Sequence, residues 1–132
     1  MEKYTYEQLV DIIAELRSDH GCPWDRAQTH ESMIKCLCDE CDEVVEAIQN
    51  KDDENLCEEL GDVLLQVLLH AQIAKEEGRF TIEDVVDGLA QKMIRRHPHV
   101  FGDAPKAQTE EEGLAMWKAI KEQEKKMKEN KA

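Results

Sequence analysis

Residues 59–74 read ELGDVLLQVLLHAQIA, and this stretch decides the fold. At about 100° per residue, Glu59, Asp62, Gln66 and His70 fall on one narrow helical stripe, and leucines and valines fill most of the remaining circumference. A helix apolar nearly all round is expected to be buried. Carboxylates on it must then be paired, hydrogen-bonded, protonated or bound to a cation, because an isolated buried charge is strongly unfavourable. Glu59 also suits a first helical turn, where it complements the helix dipole. Asp62 has no such explanation. Gln66 and His70 are expected to make satisfied core hydrogen bonds rather than to bind metal.

Working outward, the chain reads as helices only. A first helix starts at Thr5, with Gln8 completing a capping box and Leu9, Ile12, Ile13 and Leu16 following at helical spacing. Residues 18–28, with Gly21, Pro23 and Trp24, are expected to form a loop. A second helix runs from after Thr29 to about Asn50, with an apolar stripe of Met33, Ile34, Leu37, Cys41, Val44, Val45 and Ile48. Glu40 and Glu43 flank that stripe. The turn Lys51-Asp52-Asp53 leads to the third helix, residues 54–77, stopped by Gly78. Thr81 caps a fourth, with Phe80 and Val85 as a hydrophobic staple, and His97-Pro98 ends it. Thr109, with Glu112 three residues on, opens a last helix carrying Leu114, Trp117 and Ile120 before a fraying Lys/Glu tail. The expectation is one all-α domain over residues 1–132, an antiparallel bundle of about four to five helices. Its core spans about residues 5–104, with a C-terminal helix and charged tail at 109–132.

Composition excludes several classes. The net charge of −13 disfavours nucleic acid and anionic membrane as partners. No run approaches the ~18–20 apolar residues of a membrane span, and residues 1–7 lack signal-peptide character, so a cytoplasmic location is expected. Five cysteines in such a chain argue against a disulfide framework. Cys38 and Cys41 have a metal-pair spacing, but no second pair accompanies them. Cys41 is expected in the core, with the others semi-buried.

Residues i and i+3 on a helix lie about 5–6 Å apart at Cβ, so Glu40 with Glu43, facing Glu59 with Asp62, can surround one small volume. Four hard oxygen donors suit Mg²⁺ or Mn²⁺ rather than zinc. Taken alone, Glu40 and Glu43 fit a solvated face better than a site, because acidic i,i+3 pairs are common on helices. Lys92, Arg95 and Arg96 form a local cationic group in an acidic chain. It suits either an anion site or the favourable C-terminal end of a helix dipole. Trp117 and Lys121 share a helix face.

The ordered segments resemble the MazG-type nucleoside triphosphate pyrophosphohydrolases. Asp39-Glu40-x-x-Glu43 followed by Glu59-Leu60-Gly61-Asp62 is similar to that family's EExxE…ExxD signature. Cys22-Pro23-Trp24-Asp25, Gln28-Thr29-His30-Glu31-Ser32, Glu77-Gly78-Arg79-Phe80 and Arg95-Arg96-His97-Pro98-His99-Val100-Phe101-Gly102 follow the same pattern. So does Trp117 with Lys121. The likeness spans roughly residues 8–125. Asp39 stands where the signature has glutamate. It points about 100° away from Glu40, outside the expected ligand shell, which puts any role as a base at that position in doubt.

The resemblance implies an all-α bundle with Glu40, Glu43, Glu59 and Asp62 as catalytic Mg²⁺ ligands. It implies hydrolysis of a nucleoside triphosphate (NTP or dNTP) to monophosphate and pyrophosphate, in nucleotide-pool house-cleaning. Lys92, Arg95, Arg96, Trp117 and Lys121 would bind the substrate; Trp24 either stacks on it or plugs the bundle end. A homodimer is also implied, and Leu65, Leu68 and Leu69 offer apolar surface beyond what a thin bundle covers. The alternatives are a base-selective dCTP- or dUTP-type pyrophosphatase and a nucleotide-sensing helical module without turnover.

Overall fold

The computed structural model describes residues 2–131, and among them every regular element is helical. The helices are α1 (Tyr6–Leu16), α2 (Pro23–Ala27), α3 (Ile34–Gln49), α4 (Asp53–Glu76), α5 (Ile82–Arg96), α6 (Pro98–Phe101) and α7 (Glu110–Lys131). A 3₁₀ turn, Glu31–Met33, leads into α3. Five of these helices exceed two turns, in line with an all-α chain of four to five helices. The chain forms two compact units, one ending at Ile82 and the other beginning at Glu83.

Local chemistry explains the boundaries in the first unit. Thr5 accepts from the Gln8 amide at 3.2 Å, and the Gln8 side chain accepts from the Thr5 amide at 2.8 Å, closing the capping box of α1. Asp52 caps α4 by accepting from the Asn55 amide at 3.1 Å. Lys51, at φ 54°, makes the tight reversal that lays α4 back along α3 as a helical hairpin. Gly78, at φ 71°, ends α4 in a backbone region that other residues enter at a cost. The expected loop at residues 18–28 contains the one-turn α2, which Pro23 opens. That turn docks closely on the end of α1. A Cβ on Gly21 would lie 2.2 Å from the Glu15 carbonyl oxygen.

The core of this unit is Ile13, Met33, Leu68, Leu69, Ala71, Ile73 and Ile82, with Leu9, Val10, Leu16 and Cys36 packed against it. Only the C-terminal half of α4 is buried as its composition suggested. Leu60, Leu64 and Val67, spaced i, i+4, i+7, lie on an exposed stripe that runs from its N-terminal half past its middle. Leu68 and Leu69 are inside the chain's own core, whereas Leu65 stays accessible.

The largest departure concerns α3. Its inward residues are Met33, Cys36, Glu40, Val44 and Ala47, while Ile34, Leu37, Cys41, Val45 and Ile48 are exposed. The helix is therefore rotated by about 90° from the orientation its apolar stripe suggested. Cys41 is at the surface, as are Cys38 and Cys57, and Cys36 is the cysteine that packs on the core. The rotation turns the glutamates toward α4 and leaves an apolar face outside.

In the second unit α5 stops at Arg96, ahead of Pro98. The following segment, expected to be irregular, contains the one-turn α6 with proline at its first position. Thr109 accepts from the Glu112 amide at 3.1 Å at the start of α7. That helix continues to Lys131 rather than fraying after Ile120.

Candidate functional site

Four carboxylates converge where α3 and α4 pack. Glu40 and Glu43 on α3, and Glu59 and Asp62 on α4, each place one oxygen within 4.8 Å of the others. Two of those side chains have an oxygen that is buried and lacks any hydrogen-bond partner, Glu40 Oε2 and Glu59 Oε2. The crowding leaves its mark on their titration. Glu59 is pushed up to about 7, first by the Glu43 carboxyl within hydrogen-bonding reach, then by desolvation and the charges of Glu43, Asp62 and Glu40. Glu40 is raised by desolvation, then by Glu43 and by the charges of Asp62 and Asp39. Nothing cationic among the described residues pairs with the cluster.

The donor set fits a hard divalent cation. Four carboxylate oxygens gathered within 4.8 Å, with two buried carboxylate oxygens lacking a partner in the same cluster, would hold such a cation. Asp39, the departure from the acidic signature, is turned outward and takes Lys35 Nζ at 2.7 Å.

Below the acids, the α4 stripe continues as a polar line that the sequence reading only partly foresaw. Arg79 Nη2 lies 2.5 Å from His30 Nε2, and His30 Nδ1 lies 2.7 Å from His70 Nδ1, with the two imidazoles stacked at 5.0 Å. A guanidinium only donates, so His30 Nε2 accepts and His30 Nδ1–H donates to His70. His70 then carries its proton on Nε2. That atom is buried without a partner, as is Gln66 Oε1. Hydrogen bonding at Gln66 and His70 is thus incomplete, contrary to the expectation of a satisfied core. Burial, and then His30, lower the His70 pKa and keep it neutral. His30 and Arg79 went unassigned because no local spacing links them to a histidine tens of residues away.

Arg17 anchors the neighbouring loop. It is 8% exposed and meets Glu76 with Nε at 2.9 Å and Nη2 at 3.0 Å, and its Nη1 donates to the Asp25 and Gln28 carbonyls. Trp24, on the loop so held, is 60% exposed and plugs nothing.

The second unit gathers the cationic and aromatic candidates. Arg96 Cζ and Lys121 Nζ each lie 5.2 Å from the Trp117 ring centre. Arg95 and Arg96 both bond Glu124, Arg96 through Nη2 at 2.9 Å and Nε at 3.2 Å. Lys92 lies one turn before Arg96 on α5 and is half-buried. Glu124 escaped notice because it sits in a run of lysines and glutamates that looks like solvated surface.

Residues 28–101, more than half of the chain, match the model of the MazG nucleotide pyrophosphohydrolase domain. The chain belongs to the MazG family. It is 57% identical over 120 residues to the nucleoside triphosphate pyrophosphohydrolase/pyrophosphatase MazG of Thermotoga maritima, covering 91% of this chain and 45% of that protein. Identity to the Escherichia coli K12 nucleoside triphosphate pyrophosphohydrolase is 43% over 119 residues, or 89% of this chain and 45% of that one. The Bacillus subtilis protein YabN is 54% identical over 127 residues, 94% of this chain but 26% of its own length. The chain thus spans half or less of the length of these curated relatives. Among solved structures, a mazG-related protein from Thermotoga maritima superposes with a TM-score of 0.70 at 33% identity, covering 88% of this chain and 98% of that one.

Proposed function

We propose that this chain hydrolyses nucleoside triphosphates to nucleoside monophosphate and pyrophosphate in a divalent-cation-dependent reaction that clears nucleotide pools. The observation that carries it is the convergence of Glu40, Glu43, Glu59 and Asp62 with two buried oxygens lacking partners. The names of the Thermotoga and Escherichia relatives point the same way. These four carboxylates would hold Mg²⁺, or Mn²⁺ in its place. A cation bound there supplies a lowered pKa for an attacking water and neutralises charge on the departing pyrophosphate.

The protein's own groups do the remaining work. Lys92, Arg95, Arg96 and Lys121 bind the triphosphate by charge-assisted hydrogen bonds, and guanidinium forks suit its oxygens. Trp117 backs Arg96 and Lys121, and the exposed Trp24 is free to stack on the nucleobase. The protein works as a homodimer. The uncovered stripes Ile34–Leu37–Val45–Ile48 of α3 and Leu60–Leu64–Val67 of α4 support this, since monomers rarely leave that much contiguous apolar surface in water. Its action is on free nucleotides in the cytoplasm, away from nucleic acid and membrane. No helix among the described residues is long and apolar enough to cross a membrane.

Incubation with a panel of NTPs and dNTPs plus Mg²⁺, with EDTA controls, tests this. Cation-dependent pyrophosphate and monophosphate are expected. A single accepted dNTP would make it a base-selective enzyme, and binding without turnover would make it a sensing module.

A further inference from the structure

A groove of about 550 Å³ runs along α7 in the second unit, lined by Arg96, Trp117, Lys121, Glu124, Lys125 and Lys128 among others. Trp117, Lys121, Glu124 and Lys128 follow at i, i+4, i+7 and i+11, so they share one helix face. Two acids, Glu122 and Glu124, also line that cation-rich groove, and Glu124 is the one that bonds arginines. It is also only 18% exposed at its side chain, and Arg96 only 12%.

The donor atoms show what Glu124 does. It takes Nε of Arg95 on one oxygen, and Nε and Nη2 of Arg96 on the other. These are the inner edges of both forks. Among the described residues, no protein acceptor meets either Nη group of Arg95 or the Nη1 of Arg96. Two adjacent guanidiniums would otherwise repel and swing apart on flexible stems. One carboxylate between them offsets half of that charge and fixes both planes, with Arg96 laid against Trp117. Ordering side chains before the ligand arrives removes an entropy cost from binding.

We propose that Glu124 is a positioning residue that presets Arg95 and Arg96 to receive a polyphosphate on their outer edges. The proposal rests on the assignment of those arginines to the triphosphate. The two arginines hold the Glu124 carboxyl down at about 2, so the clamp stays charged throughout the neutral range.

The test measures inorganic tripolyphosphate binding at fixed Mg²⁺ by calorimetry on the full chain. It compares Glu124→Ala, Glu124→Gln, the double variant Arg95→Ala/Arg96→Ala, and that double variant carrying Glu124→Ala. Glu124→Ala should weaken binding about tenfold, and Glu124→Gln, which keeps shape and one acceptor, by less. Without the arginines, Glu124→Ala should cause no loss, or a gain, because only a negative charge is then removed. Equal or tighter binding by Glu124→Ala would make Glu124 a competing anion and overturn the proposal. So would a loss that persists in full without the arginines, which marks a merely structural role. If the Arg95/Arg96 double variant binds as the parent does, the phosphate assignment itself fails, a distinguishable result. Should Glu124→Ala lose helicity, the isosteric Glu124→Gln carries the comparison.

Discussion

Replacing Glu59 with Gln separates what the acid cluster does for activity from what it costs the fold. Glu59 titrates at about 7 in the folded chain against an ordinary 4.5, because Glu43, desolvation and the Asp62 and Glu40 charges disfavour its ionised form. Below pH 4.5 the group is protonated folded or unfolded and has no effect on stability. Between 4.5 and 7 the unfolded chain releases a proton that the folded chain retains, so stability falls as pH rises. About a tenth of the folded molecules carry the charge at pH 6 and about nine-tenths at pH 8. In EDTA, Glu59→Gln should therefore melt with the parent at pH 4 and above it at pH 8. With Mg²⁺ the order should reverse. A cation at about a hundred times its dissociation constant stabilises the parent by about 2.7 kcal/mol, at about 4 °C per kcal/mol for a chain of this size. A variant short of one ligand should gain far less. Loss of that ligand should also remove about 4 kcal/mol of transition-state stabilisation, a thousandfold in rate. Differential scanning fluorimetry across pH, with and without Mg²⁺, and a pyrophosphate-release assay read both effects. A Glu59→Gln chain that melts below the parent at pH 8 in EDTA, or keeps activity within tenfold, would refute this reasoning.

Three other perturbations have definite outcomes. Arg17→Ala should destabilise the chain by about 2–3 kcal/mol in urea titration, since it strands the Asp25 and Gln28 carbonyls and the half-exposed Glu76. A change below about 0.5 kcal/mol would show that water replaces the guanidinium. Gly21→Ala should destabilise by at least ~2 kcal/mol, because its Cβ would press on the Glu15 and Leu16 carbonyl oxygens of α1; a melting temperature equal to the parent's would contradict the close packing. Ile48→Glu with Leu64→Glu should convert a dimer to a monomer in light scattering while the helical signal persists. A parent that is already monomeric at micromolar concentration would end the dimer reading.

Much of the fold was legible because helix ends depend on local chemistry. Thr5 with Gln8, Gly78 and the His97-Pro98 step act within a few residues of themselves. The four acids were legible because Asp62 on a leucine-rich helix demands a partner wherever that helix packs. Side-chain orientation across the hairpin was not legible in the same way. The apolar stripe of α3 looks like core only if the chain buries its own best surface, and here that surface stays outside while Glu40 turns in. His30, Arg79 and Glu124 carried no assigned role in the sequence for another reason. Each acquires its role from a residue far away in sequence, and no periodicity records such a meeting.

The most direct test of the central claim is ³¹P NMR of the products formed in H₂¹⁸O from the best NTP of the panel, with Mg²⁺ present. Equal amounts of pyrophosphate and ¹⁸O-labelled nucleoside monophosphate are expected, with the label absent from pyrophosphate, as attack at the α-phosphorus requires. Label in pyrophosphate, or orthophosphate with nucleoside diphosphate, would contradict it.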